Sequence, residues 1–207
     1  MNKASRRRLL SSALALGAGT ALLGARVGHE HAQALPTDGI RPPGALPEPE
    51  FLAACIRCGL CVQACPPETL RLADLLGDPM PAGTPFFRAR TNACAMCESI
   101  PCVSACPTGA LRSSLRDIAD ARMGLAELSA PDRCLSYTGA AYCNSCYWAC
   151  PIAGTAIRIR QLRTRGGGFF MPVVDPDHCT GCGLCEQACV LEGDAAITVR
   201  ANHATAR

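Results

Sequence analysis

Apolar and polar positions alternate in short segments that predict strands. Residues 156–160, Ala-Ile-Arg-Ile-Arg, alternate with a period of two, which is typical of a half-buried strand. Similar short strands are predicted over 123–128, 169–175 and 195–200. The basic, Gly-rich segment 163–168 lies between two predicted strands and is interpreted as a hairpin loop, since it lacks the spacing of a phosphate-binding loop.

The segments that predict helices are equally short. Residues 71–80 predict a short helix and turn, because their leucines share one apolar face (Leu72, Leu75, Leu76). A polar helix is predicted over 114–121, and a helical turn over 50–54. Short helices, short strands and long loops together predict a fold of the α+β class.

An uncharged stretch rich in Ala, Leu and Gly lies near the N-terminus, over residues 9–23. It follows the twin-arginine motif Ser5-Arg6-Arg7-Arg8-Leu9-Leu10 and precedes a small-residue cleavage site, Ala32-Gln33-Ala34. Residues 1–34 are therefore interpreted as a twin-arginine signal peptide, which predicts export of a folded protein to the periplasm. The alternative is a retained membrane anchor, since 9–25 carries no charge.

The rest of the chain predicts one cysteine-rich domain with flexible ends. Residues 35–49 contain five Pro and two Gly and are expected to form an extended linker. The domain is expected over 50–201, and a tail over 202–207.

Composition changes this picture in one respect, because the chain is rich in cysteine and poor in aromatic residues. Its 207 residues include 16 Cys, while aromatic residues make up 4%. A group bound by the cysteines must therefore supply much of the cohesion. The net charge is +3, but the part after residue 34 has 15 basic and 16 acidic residues. No basic stripe supports nucleic-acid binding.

The cysteines form four motifs of four. The first reads C-x2-C-x2-C-x3-C-P, the sequence by which bacterial ferredoxins hold [4Fe–4S] clusters. The fourth motif repeats its spacing with Val190 in place of Pro, and the second and third have a wider gap. The sixteen candidate ligands are Cys55, Cys58, Cys61, Cys65, Cys94, Cys97, Cys102, Cys106, Cys134, Cys143, Cys146, Cys150, Cys179, Cys182, Cys185 and Cys189.

Four thiolates per cluster predict four [4Fe–4S] clusters. Disulfides and structural zinc are the alternatives, but zinc sites usually pair two C-x2-C units across a longer gap. With every cluster position held by Cys, no site is open to substrate, which favours one-electron transfer. No dinucleotide-binding motif or catalytic triad is visible, so no catalytic residue is predicted.

Two residues beside the motifs invite a functional interpretation. Trp148 lies inside the third motif and is expected to shield a cluster from water, with electron relay to a partner as the alternative. His178 precedes Cys179 and is interpreted as a solvated neighbour, although it could tune a cluster potential.

The chain resembles the NapG/MauM family of exported ferredoxin-type proteins. Besides the signal, the resemblance rests on Arg41-Pro-Pro-Gly-Ala45, Cys55-Ile-Arg-Cys-Gly, Ala82-Gly-Thr-Pro85, Cys97-Glu-Ser-Ile-Pro-Cys102, Asp120-Ala-Arg-Met-Gly-Leu-Ala126 and Cys179-Thr-Gly-Cys-Gly. It implies a tandem 2[4Fe–4S] ferredoxin-like polyferredoxin.

The NapG-type resemblance also implies partners. These are a membrane quinol-oxidising iron–sulfur protein similar to NapH, and periplasmic nitrate reductase, reached directly or through a c-type cytochrome. Peripheral association with the membrane follows. MauM-type members instead serve methylamine utilisation, and an iron–sulfur subunit of another molybdenum oxidoreductase is a third possibility.

The pairing of motifs is a separate prediction. Motifs one and four share compact spacing, and similar four-cluster subunits of molybdenum oxidoreductases nest their motifs. Nesting would join Cys55, Cys58 and Cys61 with Cys189; Cys179, Cys182 and Cys185 with Cys65; Cys94, Cys97 and Cys102 with Cys150; and Cys134, Cys143 and Cys146 with Cys106. Pairing of sequential motifs is the alternative.

Overall fold

A computed structural model describes residues 39–78, 80–164 and 167–202. These residues all belong to one compact unit, Thr37–Arg207. The predicted signal peptide, 1–34, and all but residue 202 of the predicted tail lie outside the described residues. The longest helix within the described ranges has seven residues, and none is long and apolar enough to cross a membrane.

The helices of the described chain are short, and four of them have the same position relative to a cysteine motif. Each of these four is a single turn that ends just before the fourth cysteine: α2 (Leu60–Gln63), α3 (Pro101–Ser104), α5 (Ser145–Trp148) and α6 (Leu184–Gln187). The others are α1 (Glu48–Ala54) and α4 (Leu135–Thr138), with 3₁₀ turns at Ile118–Asp120 and Pro131–Arg133.

The strands form two-stranded antiparallel sheets. Strand β1 (Arg71–Leu72) pairs with β2 (Pro85–Phe86), β3 (Gly124–Leu128) with β6 (Ile197–Ala201), and β4 (Ile157–Thr164) with β5 (Gly167–Val174). Strands β3 to β6 confirm the four segments predicted as strands, and β4 and β5 confirm the hairpin. The β3–β6 pair joins the end of the chain to the segment between motifs two and three.

Most of the largest fully buried side chains lie in the part of the chain that contains the first two motifs. Phe51, Phe86 and Phe87 are fully buried, together with Ile40 and Leu111. Except for Phe86, which packs in a small separate cluster, these residues share one core cluster with buried cysteines of the first, second and fourth motifs. The main apolar packing and the cysteine sites therefore form one interior.

The segment expected to be a linker is packed against the domain over its described part. Ile40 and Phe87 exchange two backbone hydrogen bonds of 2.9 Å, and Leu46 N–H donates to Ala110 O at 3.1 Å. Arg41 is buried and forms a bidentate ion pair with Glu48, with N···O distances of 2.5 and 3.0 Å. Proline does hold this segment extended, but an extended chain also exposes backbone groups that pair with the core.

The helix expected over 71–80 is not formed. Arg71 and Leu72 pair as a strand with Pro85 and Phe86, and the Asp78 carboxylate accepts a hydrogen bond from Asp74 N–H at 2.9 Å, which closes a loop. Its leucines are 37, 79 and 97% exposed (Leu72, Leu75, Leu76). The helix expected over 114–121 is reduced to the 3₁₀ turn Ile118–Asp120, with the Asp117 carboxylate accepting from Ala119 N–H.

Candidate iron–sulfur centres

The sixteen cysteines are free thiols that gather around four cavities. We number each site by the motif that supplies its first three ligands. Site 1 has Cys55, Cys58, Cys61 and Cys106; site 2 has Cys94, Cys97, Cys102 and Cys65; site 3 has Cys134, Cys143, Cys146 and Cys189; site 4 has Cys179, Cys182, Cys185 and Cys150.

The structure overturns the nested pairing and shows the sequential one. Cys65 lines the cavity of the second motif and Cys106 that of the first, while Cys150 and Cys189 exchange in the same way between motifs three and four. Motifs one and four resemble each other in spacing, yet spacing determines only the local curl of the chain. The partner is set by which neighbour the fourth cysteine reaches, and a nearer neighbour costs less loop-closure entropy.

One helical turn carries the fourth cysteine to the neighbouring site in every motif. The N–H groups of Cys65 and Cys106 donate to the carbonyls of Val62 and Val103, both at 3.1 Å. Those of Cys150 and Cys189 donate to Tyr147 and Glu186, both at 3.2 Å. The third and fourth cysteines are four residues apart, so the single turn between them separates the two sites that they line.

Left-handed backbone conformations recur at two positions of the motifs. The residue before the second cysteine has a positive φ in motifs one, two and four (Arg57 59°, Met96 57°, Gly181 74°). The residue two before the third cysteine has one in the same motifs (Gly59 75°, Ile100 43°, Gly183 87°). This conformation costs a non-glycine residue about 1–2 kcal/mol. The repetition indicates that wrapping the chain around each cavity requires it, as is common at functional sites.

Two glycines of the fourth motif are also required by packing between motifs. A Cβ on Gly181 would lie 2.1 Å from Gly124 N, and one on Gly183 would lie 2.5 Å from Ala89 Cβ. A Cβ on Gly59 of the first motif would meet only Leu72 Cδ1, at 3.6 Å. At its glycines the fourth motif is therefore closely packed against neighbouring residues, whereas the first motif has more space at Gly59.

Burial raises the pKa of several cysteine thiols in the metal-free chain. Burial, reinforced by neighbouring cysteines, raises the pKa of Cys102 to about 12 and that of Cys61 to about 11. Burial likewise raises the pKa of Cys185 well above its ordinary value. Cys106 differs: burial opposes its ionisation, but hydrogen bonds from the N–H groups of Leu111 and Thr108 hold its pKa below the usual value. A bound cationic iron centre offsets the cost of gathering thiolates.

The four sites follow one another in a single order. Turns α2 and α3 each join a ligand of site 1 to a ligand of site 2, and turns α5 and α6 each join a ligand of site 3 to a ligand of site 4. Sites 2 and 4 meet where Cys94 N–H donates to Cys182 O at 2.9 Å. The contacts therefore run from site 1 through sites 2 and 4 to site 3.

Trp148 does not shield a cluster, contrary to expectation. Its side chain is 73% exposed and contacts Tyr147 edge to face, with ring centroids 5.2 Å apart. Cys146 and Cys150 are four residues apart and share one face of the turn, so the residue midway between them points away from both sites.

His178 is exposed, as its interpretation as a solvated neighbour requires. Its Nδ1 lies 3.2 Å from Asp175 Oδ1, and 52% of its side chain is accessible. The hydrogen bond from His178 lowers the pKa of the Asp175 carboxyl.

Sequence reasoning missed Arg90, which has no place in any cysteine motif. Its guanidinium donates to four backbone carbonyls about a hundred residues further along the chain, including that of Cys189. In the sequence it is distinguished only by its position, four residues after the buried strand β2 and four before Cys94.

The donor set and the cavities fit four [4Fe–4S] clusters. Each cavity is bordered by four thiols, and most of the other residues that line it are apolar or glycine. A comparison with protein families agrees, since the 4Fe-4S dicluster domain matches residues 54–110 and 141–192. The first stretch contains sites 1 and 2 complete, and the second contains all ligands of sites 3 and 4 except Cys134. The matched stretches thus follow the sequential pairing.

These observations define a ferredoxin-type electron-transfer protein that carries four [4Fe–4S] clusters. Known relatives show which family within this class is most similar to the chain. The methylamine utilization ferredoxin-type protein MauM of Methylophilus methylotrophus is 55% identical over 158 residues, covering 76% of this chain and 69% of the relative. MauM of Methylorubrum extorquens is 48% identical over 94% of this chain and 88% of the relative. The ferredoxin-type protein NapG of Escherichia coli is 46% identical over 92% and 83%.

The chain belongs to the NapG/MauM family of ferredoxin-type proteins. No solved structure matches it significantly.

Proposed function

We propose that this protein transfers electrons in the periplasm from a membrane quinol-oxidising iron–sulfur partner, similar to NapH, toward periplasmic nitrate reductase. Delivery is direct or through a c-type cytochrome. The quinol is oxidised at the partner, where it releases two protons and two electrons, and the electrons enter this chain singly. The observation that carries the proposal is the linear order of the four sites, which gives the molecule two distinct ends.

Exposed apolar side chains mark both ends of that order. Among residues of described burial, the large exposed hydrophobics near site 1 are Ile56, Leu60, Leu72, Leu75 and Leu76, and those near site 3 are Tyr137, Tyr142, Trp148 and Val190. The first group lies in motif one, in β1, whose Leu72 faces Gly59, and in the loop after β1. Exposed apolar groups favour protein contacts, so this distribution supports one partner at each end.

The chain itself supplies the cluster ligands, excludes water from the inner side of site 1 and leaves its outer side open to a partner. The sixteen cysteines hold the clusters, and each cluster, when bound, accepts and releases one electron. The core packed around site 1, including Phe51, excludes water from its inner face. Arg57 and the exposed leucines leave its outer face accessible to a partner.

Methylamine utilisation is the second candidate, favoured by the 55% identity to MauM of Methylophilus methylotrophus. The chain's role would be the same, with electrons passed in a pathway of methylamine oxidation.

Deletion of the gene separates the two candidates. The first predicts loss of quinol-dependent nitrate reduction, restored by the wild-type gene but not by a Cys94→Ala variant. Loss of growth on methylamine with nitrate reduction intact supports the second candidate. Normal growth under both conditions contradicts both.

Export by the twin-arginine route is part of the proposal and rests on residues 5–10. The double substitution Arg6→Lys and Arg7→Lys is expected to retain iron-loaded protein in the cytoplasm, as cell fractionation would show. Unchanged recovery from the periplasm would contradict export by this route. A wild-type protein that stays with washed membranes at full length would indicate a retained anchor.

A further inference from the structure

The fourth motif lacks a residue that the other three share. Pro66, Pro107 and Pro151 directly follow the fourth cysteine of their motifs, whereas Val190 follows Cys189. Proline fixes its own φ and restricts the residue before it, so it stiffens the segment that presents the fourth ligand. Val190 provides no such restraint, and its side chain is 57% exposed.

The hydrogen bonds around the fourth cysteine differ as well. In motifs one and three its carbonyl accepts from the backbone N–H three residues later, at 3.0 Å from Glu68 and 3.2 Å from Ala153. In the fourth motif the carbonyl of Cys189 accepts from Arg90 Nη1 at 2.9 Å.

Arg90 binds this turn on both sides of Val190. Its Nη1 also donates to Glu186 O at 2.8 Å, its Nε donates to Gly193 O at 2.9 Å, and its Nη2 donates to Leu191 O. The guanidinium thus joins the end of helix α6 to the loop that follows the cysteine. It approaches from the segment between motifs one and two.

We propose that Arg90 is a positioning residue for site 3, and that it performs for Cys189 the restraint that proline performs for the other fourth cysteines. It does not touch the cluster. It fixes the carbonyl of Cys189 and the backbone on either side, so that the thiol is presented to Cys134, Cys143 and Cys146. Completion of a site formed by motifs three and four therefore depends on a residue of the preceding half of the chain.

The chemistry of the contact requires arginine. A planar guanidinium offers five donors in fixed directions, and four carbonyls accept from it here. A lysine ammonium has three donors on a flexible stem and cannot hold the same four carbonyls. We therefore expect Arg90→Lys to lower the occupancy of site 3 less than Arg90→Ala does, but below that of the wild type.

The test is a rescue experiment on the full-length, iron-loaded protein. Arg90→Ala is expected to lower iron from about sixteen to about twelve atoms per chain, with loss of one [4Fe–4S] signal from the electron paramagnetic resonance spectrum of the reduced protein. Adding Val190→Pro to Arg90→Ala is expected to restore both. Among the described residues the Val190 N–H donates no backbone hydrogen bond, so the substitution removes none.

Arg200→Ala is the control, since Arg200 is an exposed arginine that pairs with Glu127; it should keep about sixteen iron atoms. Full iron and an unchanged spectrum in Arg90→Ala overturn the proposal. So does equal loss from all four sites, or a double variant no better loaded than Arg90→Ala. If Arg90→Ala is insoluble, a soluble and loaded double variant supports the proposal and an insoluble one refutes it.

Discussion

The two halves of the described chain hold their clusters with the same ligand pattern but with different packing. We define the first half as residues 39–111, with sites 1 and 2, and the second half as 123–201, with sites 3 and 4. Of the eight largest fully buried side chains, Ser136 alone belongs to the second half. The first half buries three phenylalanines completely, while the second exposes Tyr137, Tyr142 and Trp148.

The difference shows that a ferredoxin motif does not prescribe what surrounds it. The first half combines its clusters with an aromatic core and the buried Arg41–Glu48 ion pair, whose arginine also lies over the Phe51 ring at 4.6 Å. The second half relies on two strand pairs, on contacts from Arg90 and on its clusters. Its cohesion should therefore depend more strongly on iron.

Iron removal should produce the largest difference between the halves. After anaerobic chelation we expect amides of 123–201 to lose most of their protection against hydrogen exchange, while part of 39–111 stays protected, because the aromatic core remains. Mass spectrometry of peptides from each half measures this. Equal loss in both halves would show that the aromatic core adds no independent stability.

Truncation of an aromatic side chain should also lower the free energy of unfolding more in the first half than in the second. Phe87→Ala is expected to lower the free energy of unfolding by about 3–5 kcal/mol, because it empties a fully buried position. Trp148→Ala removes a largely exposed ring and should change that free energy by less than about 0.5 kcal/mol, with no change in iron content. Chemical denaturation of the two holoproteins gives the comparison. A large loss of stability or of iron in Trp148→Ala would show that the Trp148 ring does shield a cluster.

Loss of an ion pair should also lower the free energy of unfolding more in the first half than in the second. Arg41→Ala leaves the Glu48 carboxylate buried without its bidentate partner and is expected to cost about 3–5 kcal/mol. The exposed Arg200–Glu127 pair of the second half is the matched case, and Arg200→Ala should cost no more than about 1 kcal/mol. Similar losses in the two variants, measured by denaturation, would contradict the assignment of Arg41 to the core.

The smallest expected effect is the relief of backbone strain in the first motif, for which the fourth motif provides a contrast. Arg57 has a φ of 59°, and Arg57→Gly should stabilise the protein by about 0.5–1 kcal/mol, because relief of the left-handed conformation exceeds the entropic cost of glycine. Gly181 occupies the equivalent position of motif four, and Gly181→Ala should destabilise, since its Cβ would lie 2.1 Å from Gly124 N. Thermal denaturation of both variants tests this, and a change of the same sign in each would refute it.

Sequence reasoning identified the cysteine groups, the four strand segments and the class of protein, because these depend on local spacing. It failed for Leu72, Leu75 and Leu76, whose helical period competes with a strand pair formed at Pro85. It also failed for Trp148. The direction of this side chain is set by the orientation of its one-turn helix, which in turn depends on the sites that Cys146 and Cys150 line.

The pairing of motifs and the role of Arg90 needed the structure for another reason. Both depend on contacts between residues far apart in the chain, and similar spacing of two motifs contains no information about which of them meet. Residues 39–49 show the same limit. Their prolines indicate an extended chain, but only the presence of Phe87 and Ala110 beside them shows that this chain is buried.

The exchange of fourth cysteines between adjacent motifs has a consequence for how the protein is made. All eight ligands of sites 1 and 2 have been synthesised once the ribosome has passed Cys106, near the middle of the 207 residues. The first two clusters can therefore be inserted while the rest of the chain is still being translated. The nascent first half, including Arg90, then offers a surface on which the later motifs assemble.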